Sequence, residues 1–110
     1  VSSPTLDLKF KIGGTTVAST GAVTMSATAG SILMSVDWTC RTTGSSGTHF
    51  IQGYVARFAP AGTGYAELKN TSTTTINTAP SQAIDVTATW GTASASNVIT
   101  STNVTIEILN

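Results

Sequence analysis

From Thr5 to Ile12 the chain alternates: Leu6, Leu8, Phe10 and Ile12 fall to one side of an extended backbone, and Asp7, Lys9 and Lys11 to the other. A two-residue period is that of a strand with one face in a core and one in water. Gly13-Gly14 suits a two-residue hairpin turn, so Thr15 to Ser19 reads as a short return strand. Gly21 breaks the chain again before Val23, Met25 and Ala27. Ser31 to Thr42 is a longer strand with Ile32, Met34, Val36, Trp38 and Cys40 in phase, and Gly44-Ser45-Ser46-Gly47 after it reads as a flexible loop. His49 to Phe58 forms the next strand and places Phe50, Tyr54, Ala56 and Phe58 on a shared face. Pro60 to Gly64 is a turn, and Tyr65 to Lys69 is a further short strand. The Thr-rich stretch from Asn70 to Ala79 has no clear register. In Gln82 to Trp90 the alternation returns, with Ile84, Val86, Ala88 and Trp90 opposite Asp85, Thr87 and Thr89. Gly91 to Asn97 is a turn, and Val104, Ile106 and Ile108 carry the period through a last strand, Val98 to Leu109.

No segment shows a helical period. About eight strands with a turn every ten residues or so predict an all-β, antiparallel β-sandwich in preference to a barrel. Leu8, Phe10, Val36, Trp38, Ile84, Val86, Val104 and Ile106 are the expected inter-sheet layer. Burying each is worth roughly 1.5–3 kcal/mol, before the chain entropy that folding removes is subtracted. With 110 residues the chain is a single domain, 1–110. A last strand with core residues up to the C-terminus suggests a self-contained end module. Composition supports strands: 40% of residues are hydrophobic and only 9% charged, against roughly 25% charged in ordinary soluble domains. Thr and Ser, about a third of the chain, fill the difference, and both suit half-exposed pleats and turns. The core is therefore lean. Ile51 and Val55 stand opposite Phe50 and Tyr54, so this strand is apolar on both faces and is expected to meet a core on one side and another subunit on the other.

Charge excludes several classes of partner. Lys9, Lys11, Arg41, Arg57 and Lys69 are balanced by Asp7, Asp37, Glu67, Asp85 and Glu107. There is no basic stripe for a nucleic-acid backbone, and no apolar run of membrane-spanning length. Val1-Ser2-Ser3-Pro4 has neither an initiator Met nor a signal-peptide pattern, which either processing or truncation of a longer polypeptide explains. A lone cysteine, Cys40, makes no internal disulfide and is expected as a buried structural thiol. His49, the lone histidine, is expected to be a partly exposed strand-edge residue, because one imidazole without neighbouring acids or thiols makes no site. The carboxylates are spread about one per strand and read as solvated or as cross-strand charge partners. No G-x-S-x-G elbow occurs. The expectation is a chain without enzymatic activity, catalytic residues, metal or cofactor. Asn70-Thr71-Ser72 and Asn103-Val104-Thr105 fit the glycosylation sequon, as chance allows in a Thr-rich chain. Tyr54, Tyr65 and Trp90 are candidates for sugar stacking, with Trp90 assigned to the core and Tyr65 to the surface. Ser45, Ser46 and Tyr65 are the candidate ligand-binding residues, chosen for loop exposure.

Three blocks carry a resemblance: Leu8-Lys9-Phe10-Lys11-Ile12-Gly13-Gly14-Thr15-Thr16-Val17, Ser19-Thr20-Gly21-Ala22-Val23-Thr24, and Ile84 to Asn97, where a strand ends in Trp90 before an Ala/Ser loop and Asn97. Together they resemble the C-terminal jelly-roll modules of structural proteins in tailed bacteriophages and prophages. The last block is the specific one. The resemblance implies a jelly roll shaped like a tumour-necrosis-factor head. It also implies a homotrimer on a fibre, spike or capsid vertex of the virion, with distal loops turned to the host surface. In such modules one sheet is buried around the threefold axis, and no shared catalytic residues carry over. Expected partners are other copies of the chain, other virion proteins and a host-surface glycan, with no nucleic acid and no membrane. The rival readings are a capsid decoration or assembly protein without receptor activity, and a carbohydrate-binding module.

Overall fold

The computed structural model describes residues 4–26, 30–58 and 64–107, with no helix among them. Eight strands are formed: β1 (Thr5–Ile12), β2 (Thr15–Ser19), β3 (Val23–Thr24), β4 (Ser31–Thr42), β5 (Thr48–Phe58), β6 (Tyr65–Lys69), β7 (Thr74–Thr75) and β8 (Ile84–Trp90). They pair antiparallel in two four-stranded sheets that face each other as a β-sandwich. In the first sheet β1 is the spine. β2 and β3 share one of its edges, and β8 runs along the other from Leu6↔Trp90 to Ile12↔Ile84. In the second sheet β5 is central, with β4 along one edge and β6 followed by β7 along the other.

The alternation of β1 has the physical result expected of it. Leu6, Leu8, Phe10 and Ile12 are buried while the residues between them are half-buried. Gly13 and Gly14 both take positive φ, 58° and 82°, which a two-residue hairpin turn requires and a side chain resists. The interior holds two clusters. One gathers Phe10, Ile12, Val17, Ala18, Ile51, Leu68 and Ile76. The other gathers Leu6, Leu8, Met25 and Val55, with Trp90 packed against it as expected. In β5 the inward residues are His49, Ile51 and Val55. Phe50, Tyr54, Ala56 and Phe58 share the opposite face, and that face is the outer one.

Expectations about two side chains and one loop are corrected. His49 is 1% exposed, not a strand-edge residue, because its ring lies against Trp38 (centroids 5.7 Å apart) on the inward face of β5. Cys40 is exposed, although it has the inward phase of Trp38, because β4 is an edge strand and its end has no cover. The loop after β4 is tethered rather than loose. Gly44 N–H donates to Thr78 Oγ1 (2.7 Å), Thr78 N–H donates to Gly44 O (3.0 Å), and Ile76 N–H donates to Gly47 O (2.7 Å).

The final strand is the largest departure. Residues 98–107 form no strand, and Val104 and Ile106 are 74% and 71% exposed; Ile108 and Leu109 lie outside the described residues, as does Ala27. Ile84 and Val86 do point to the inner side, opposite Ile12 and Phe10, yet are 42% and 48% exposed. The cause is an overhang. Phe10 of β1 already reaches Trp38 on β4 (centroids 6.4 Å apart, edge to face). Among the described residues the second sheet ends at β4, so β8 extends past it with no strand beneath.

Candidate functional site

The outer face of the second sheet is built by register. Across β4, β5 and β6 the rows are Leu33–Ala56–Tyr65, Ser35–Tyr54–Glu67 and Asp37–Gln52–Lys69, with Ser31–Phe58 beyond one end and Thr39–Phe50 beyond the other. One half of this face is apolar. Leu33, Tyr54, Phe58 and Tyr65 are 51%, 40%, 47% and 76% exposed, and the Tyr65 ring meets Tyr54 edge to face with centroids 5.5 Å apart. Two rigid aromatic rings braced in this way present area at low entropic cost.

The other half is polar. Asp37, Thr39, Phe50, Gln52, Lys69 and Asn70 border a shallow groove of about 460 Å³. Arg41 lies over the Phe50 ring, 5.5 Å from its centroid, a cation–π contact. Lys69 Nζ pairs with Glu67 at 2.8 Å, with both groups largely in water, so the pair positions the ammonium more than it stabilises the fold. At the edge of the groove Asn70 stands in for a missing piece of strand. β6 ends its pairing at Gln52 and β7 resumes it at His49. Between them Ile51 N–H donates to Asn70 Oδ1 (2.9 Å), while Asn70 Nδ2 donates to His49 O (3.0 Å) and Thr74 Oγ1 (3.1 Å). Both hydrogens of that amide are engaged, so the Asn70 sequon is occupied by the fold itself.

The three candidate ligand residues do not form one site. Tyr65 opens β6 at one end of the sheet, and Ser45 and Ser46 are exposed in the loop before β5 at the other. Tyr65 pairs with Ala56, eight residues along β5 from Thr48, roughly 26 Å at about 3.3 Å per residue. Register brings together instead Tyr65 with Tyr54, and Asp37 with Gln52 and Lys69. Sequence reasoning missed the groove because three strands must be aligned before its members become neighbours.

Register also brings the lone cysteine and the lone histidine directly across from each other on β4 and β5. They do not act as a pair. Cys40 Sγ donates to Thr42 O at 3.2 Å, and His49 Nδ1 accepts from Trp38 Nε1 at 3.0 Å. A neutral ring that accepts at Nδ1 carries its proton on Nε2, and that atom is buried with no partner among the described residues. Replacing Trp38 by Phe leaves Nδ1 unpaired as well. It is expected to cost about 1–3 kcal/mol, read as a lower urea midpoint at unchanged slope; an unchanged midpoint would show that the bond contributes nothing. Among the described residues no three His, Cys, Asp or Glu side chains converge as metal ligands, and no helix is long and apolar enough to cross a membrane. No protein-family model matches the chain, and no curated protein or solved structure does either.

Proposed function

We propose that this chain is a non-enzymatic jelly-roll surface module of a tailed-phage virion, assembled as a homotrimer and serving host attachment. One observation carries the reading. β5 buries Ile51 and Val55 on its inner face while its outer face, with β4 and β6, keeps Leu33, Tyr54, Phe58 and Tyr65 in water. A contiguous apolar patch on a chain this lean in charge is the kind of surface that sister subunits cover. The loops at the sheet ends, with Ser45 and Ser46 tethered through Gly44 and Gly47, remain free to read a host surface.

Size-exclusion chromatography with light scattering tests this at micromolar concentration. The expected mass is three times the 11.2 kDa of the chain, and Leu33→Asp with Tyr54→Asp is expected to reduce it. A monomer, with both residues still wet, overturns the assembly and the attachment role built on it. A second reading, a carbohydrate-binding module, draws on the groove, where Asp37, Gln52 and Asn70 set polar groups beside the Phe50 ring. Saturable binding of a soluble saccharide by a monomer, weakened at least tenfold by Gln52→Ala, would favour it over the first.

A further inference from the structure

Among the described residues no strand lies beside the free edge of β4, and the alternating segment 98–107 belongs to no sheet. Beneath the overhanging β8, the inward faces of Ile84 and Val86 are 42% and 48% exposed, and Trp38 on β4 is 39% exposed at the same opening. The twelve residues of β4 present a free backbone edge there, and a long edge with apolar neighbours invites another strand. The segment 98–107 fits that position. Val98, Thr100, Thr102, Val104 and Ile106 fall on one side, and Ile99, Ser101, Asn103, Thr105 and Glu107 on the other. Val98, Val104 and Ile106 are 73%, 74% and 71% exposed, and no hydrogen bond among the described residues engages 98–107. Ten residues span roughly 33 Å as a strand, within the reach of β4.

From this complementarity we infer that residues 98–107 of one copy add as a strand to the β4 edge of a second copy. Val98, Val104 and Ile106 then turn inward over Trp38, Ile84 and Val86 and close the neighbour's sandwich. The occupant is a second copy rather than the segment's own body because the segment, beyond a loop closed on itself, is not seated on its own sandwich. Asn97 Nδ2 donates to Thr92 O (2.9 Å), Asn97 N–H donates to Ser94 O (3.1 Å), and Ser96 N–H donates to Ser94 Oγ (3.2 Å). These bonds all lie within 92–97, and past them Val98, Val104 and Ile106 stay exposed beside the uncovered edge of their own core. Every copy offers both the strand and the vacancy, so the contact is heterologous, and a rotation of one third of a turn between copies closes it as the three-membered ring proposed above. The inference rests on the homo-oligomer reading above and adds a second contact to the outer-face one.

The test uses the full chain with Val104→Asp and Ile106→Asp. Both side chains are largely exposed on the single chain, so its circular dichroism and melting temperature are expected to stay as they are. The mass by light scattering is expected to fall from three chains to one. Into this variant a synthetic peptide of residues 98–107 is titrated. A saturable blue shift of indole emission is expected as Trp38 is covered, and none with a peptide bearing the two aspartates. A variant that stays trimeric overturns the strand exchange and leaves the virion homotrimer standing. A parent chain that forms dimers or open polymers, dispersed by the two aspartates, keeps the exchange and removes the trimer. A monomeric parent chain, or a peptide without effect on emission, overturns the exchange.

Discussion

Replacing Asn70 by Ala is expected to destabilise the domain by roughly 2–4 kcal/mol, since two backbone groups of the central strand are left without partners at about 1–3 kcal/mol each. The side chain completes the edge of β5 where β6 has ended and β7 has only begun. It accepts from Ile51 N–H and donates to His49 O and to Thr74 Oγ1. Ile51 is a core residue at 2% exposure and His49 lies beside it at 1%, so the loss falls on the most buried part of the sheet. For a domain of this size a loss of that order lowers the melting temperature by about 10–15 °C. Asn70→Asp separates the roles: it keeps the acceptor for Ile51 N–H but turns an oxygen toward His49 O, and it is expected to destabilise nearly as much. Asn103→Ala, at the exposed second sequon, is the control and is expected to change nothing in the isolated subunit. A melting temperature within about 2 °C of the parent for Asn70→Ala would show that water takes over these bonds at little cost.

How much of this was legible in the residues depends on how many strands a feature needs. β1 and its hairpin needed one, because Leu6 to Ile12 alternate without interruption and Gly13-Gly14 admit the turn. Fold class followed from the sum of such strands. The inward face of β5 was not legible, since Ile51 and Val55 rival Phe50 and Tyr54 in hydrophobicity, and only the opposing sheet decides between them. The exposure of Ile84, Val86, Val104 and Ile106 was hidden for a related reason. Alternation reports which way a side chain points and says nothing about whether a neighbouring strand exists to cover it. His49 and Cys40 were exchanged in burial because one sits on a central strand and the other at the end of an edge. Exposure of Tyr65 was legible from the flanking Gly64 and Glu67, whereas its contact with Tyr54 and the Asp37–Gln52–Lys69 row required the register of three strands. Asn70 left only the trace of a sequon, because a side chain that imitates backbone has no pattern of its own.

Gly53 did leave a trace, a glycine in the interior of a strand, which marks a bulge or a close approach of backbone. It occupies the inward phase of β5 between Ile51 and Val55, paired with Val36 on one side and Leu68 on the other. A Cβ there would run into the carbonyl oxygen of Ser35 and lie 2.8 Å from Val36 Cα. Both are backbone atoms held by the β4–β5 ladder, so they yield only if the ladder shifts. Gly53→Ala therefore adds one methyl group where no rotamer change can make room. It is expected to cost about 2–3 kcal/mol, near the upper end for overpacking, despite the gain in chain entropy that alanine brings to a strained-free site. The melting temperature is expected to fall by about 10 °C, and Gly53→Val is expected to fail to fold. Hydrogen exchange locates the damage: the amides of Ser35 to Asp37 and of Gln52 to Tyr54 should lose protection first, while those of β1 and β8 keep it. An alanine variant as stable as the parent, with protection unchanged across Ser35 to Asp37, would mean that β4 moves aside freely. It would then be too loosely held to serve as the template edge on which a strand from another copy could form.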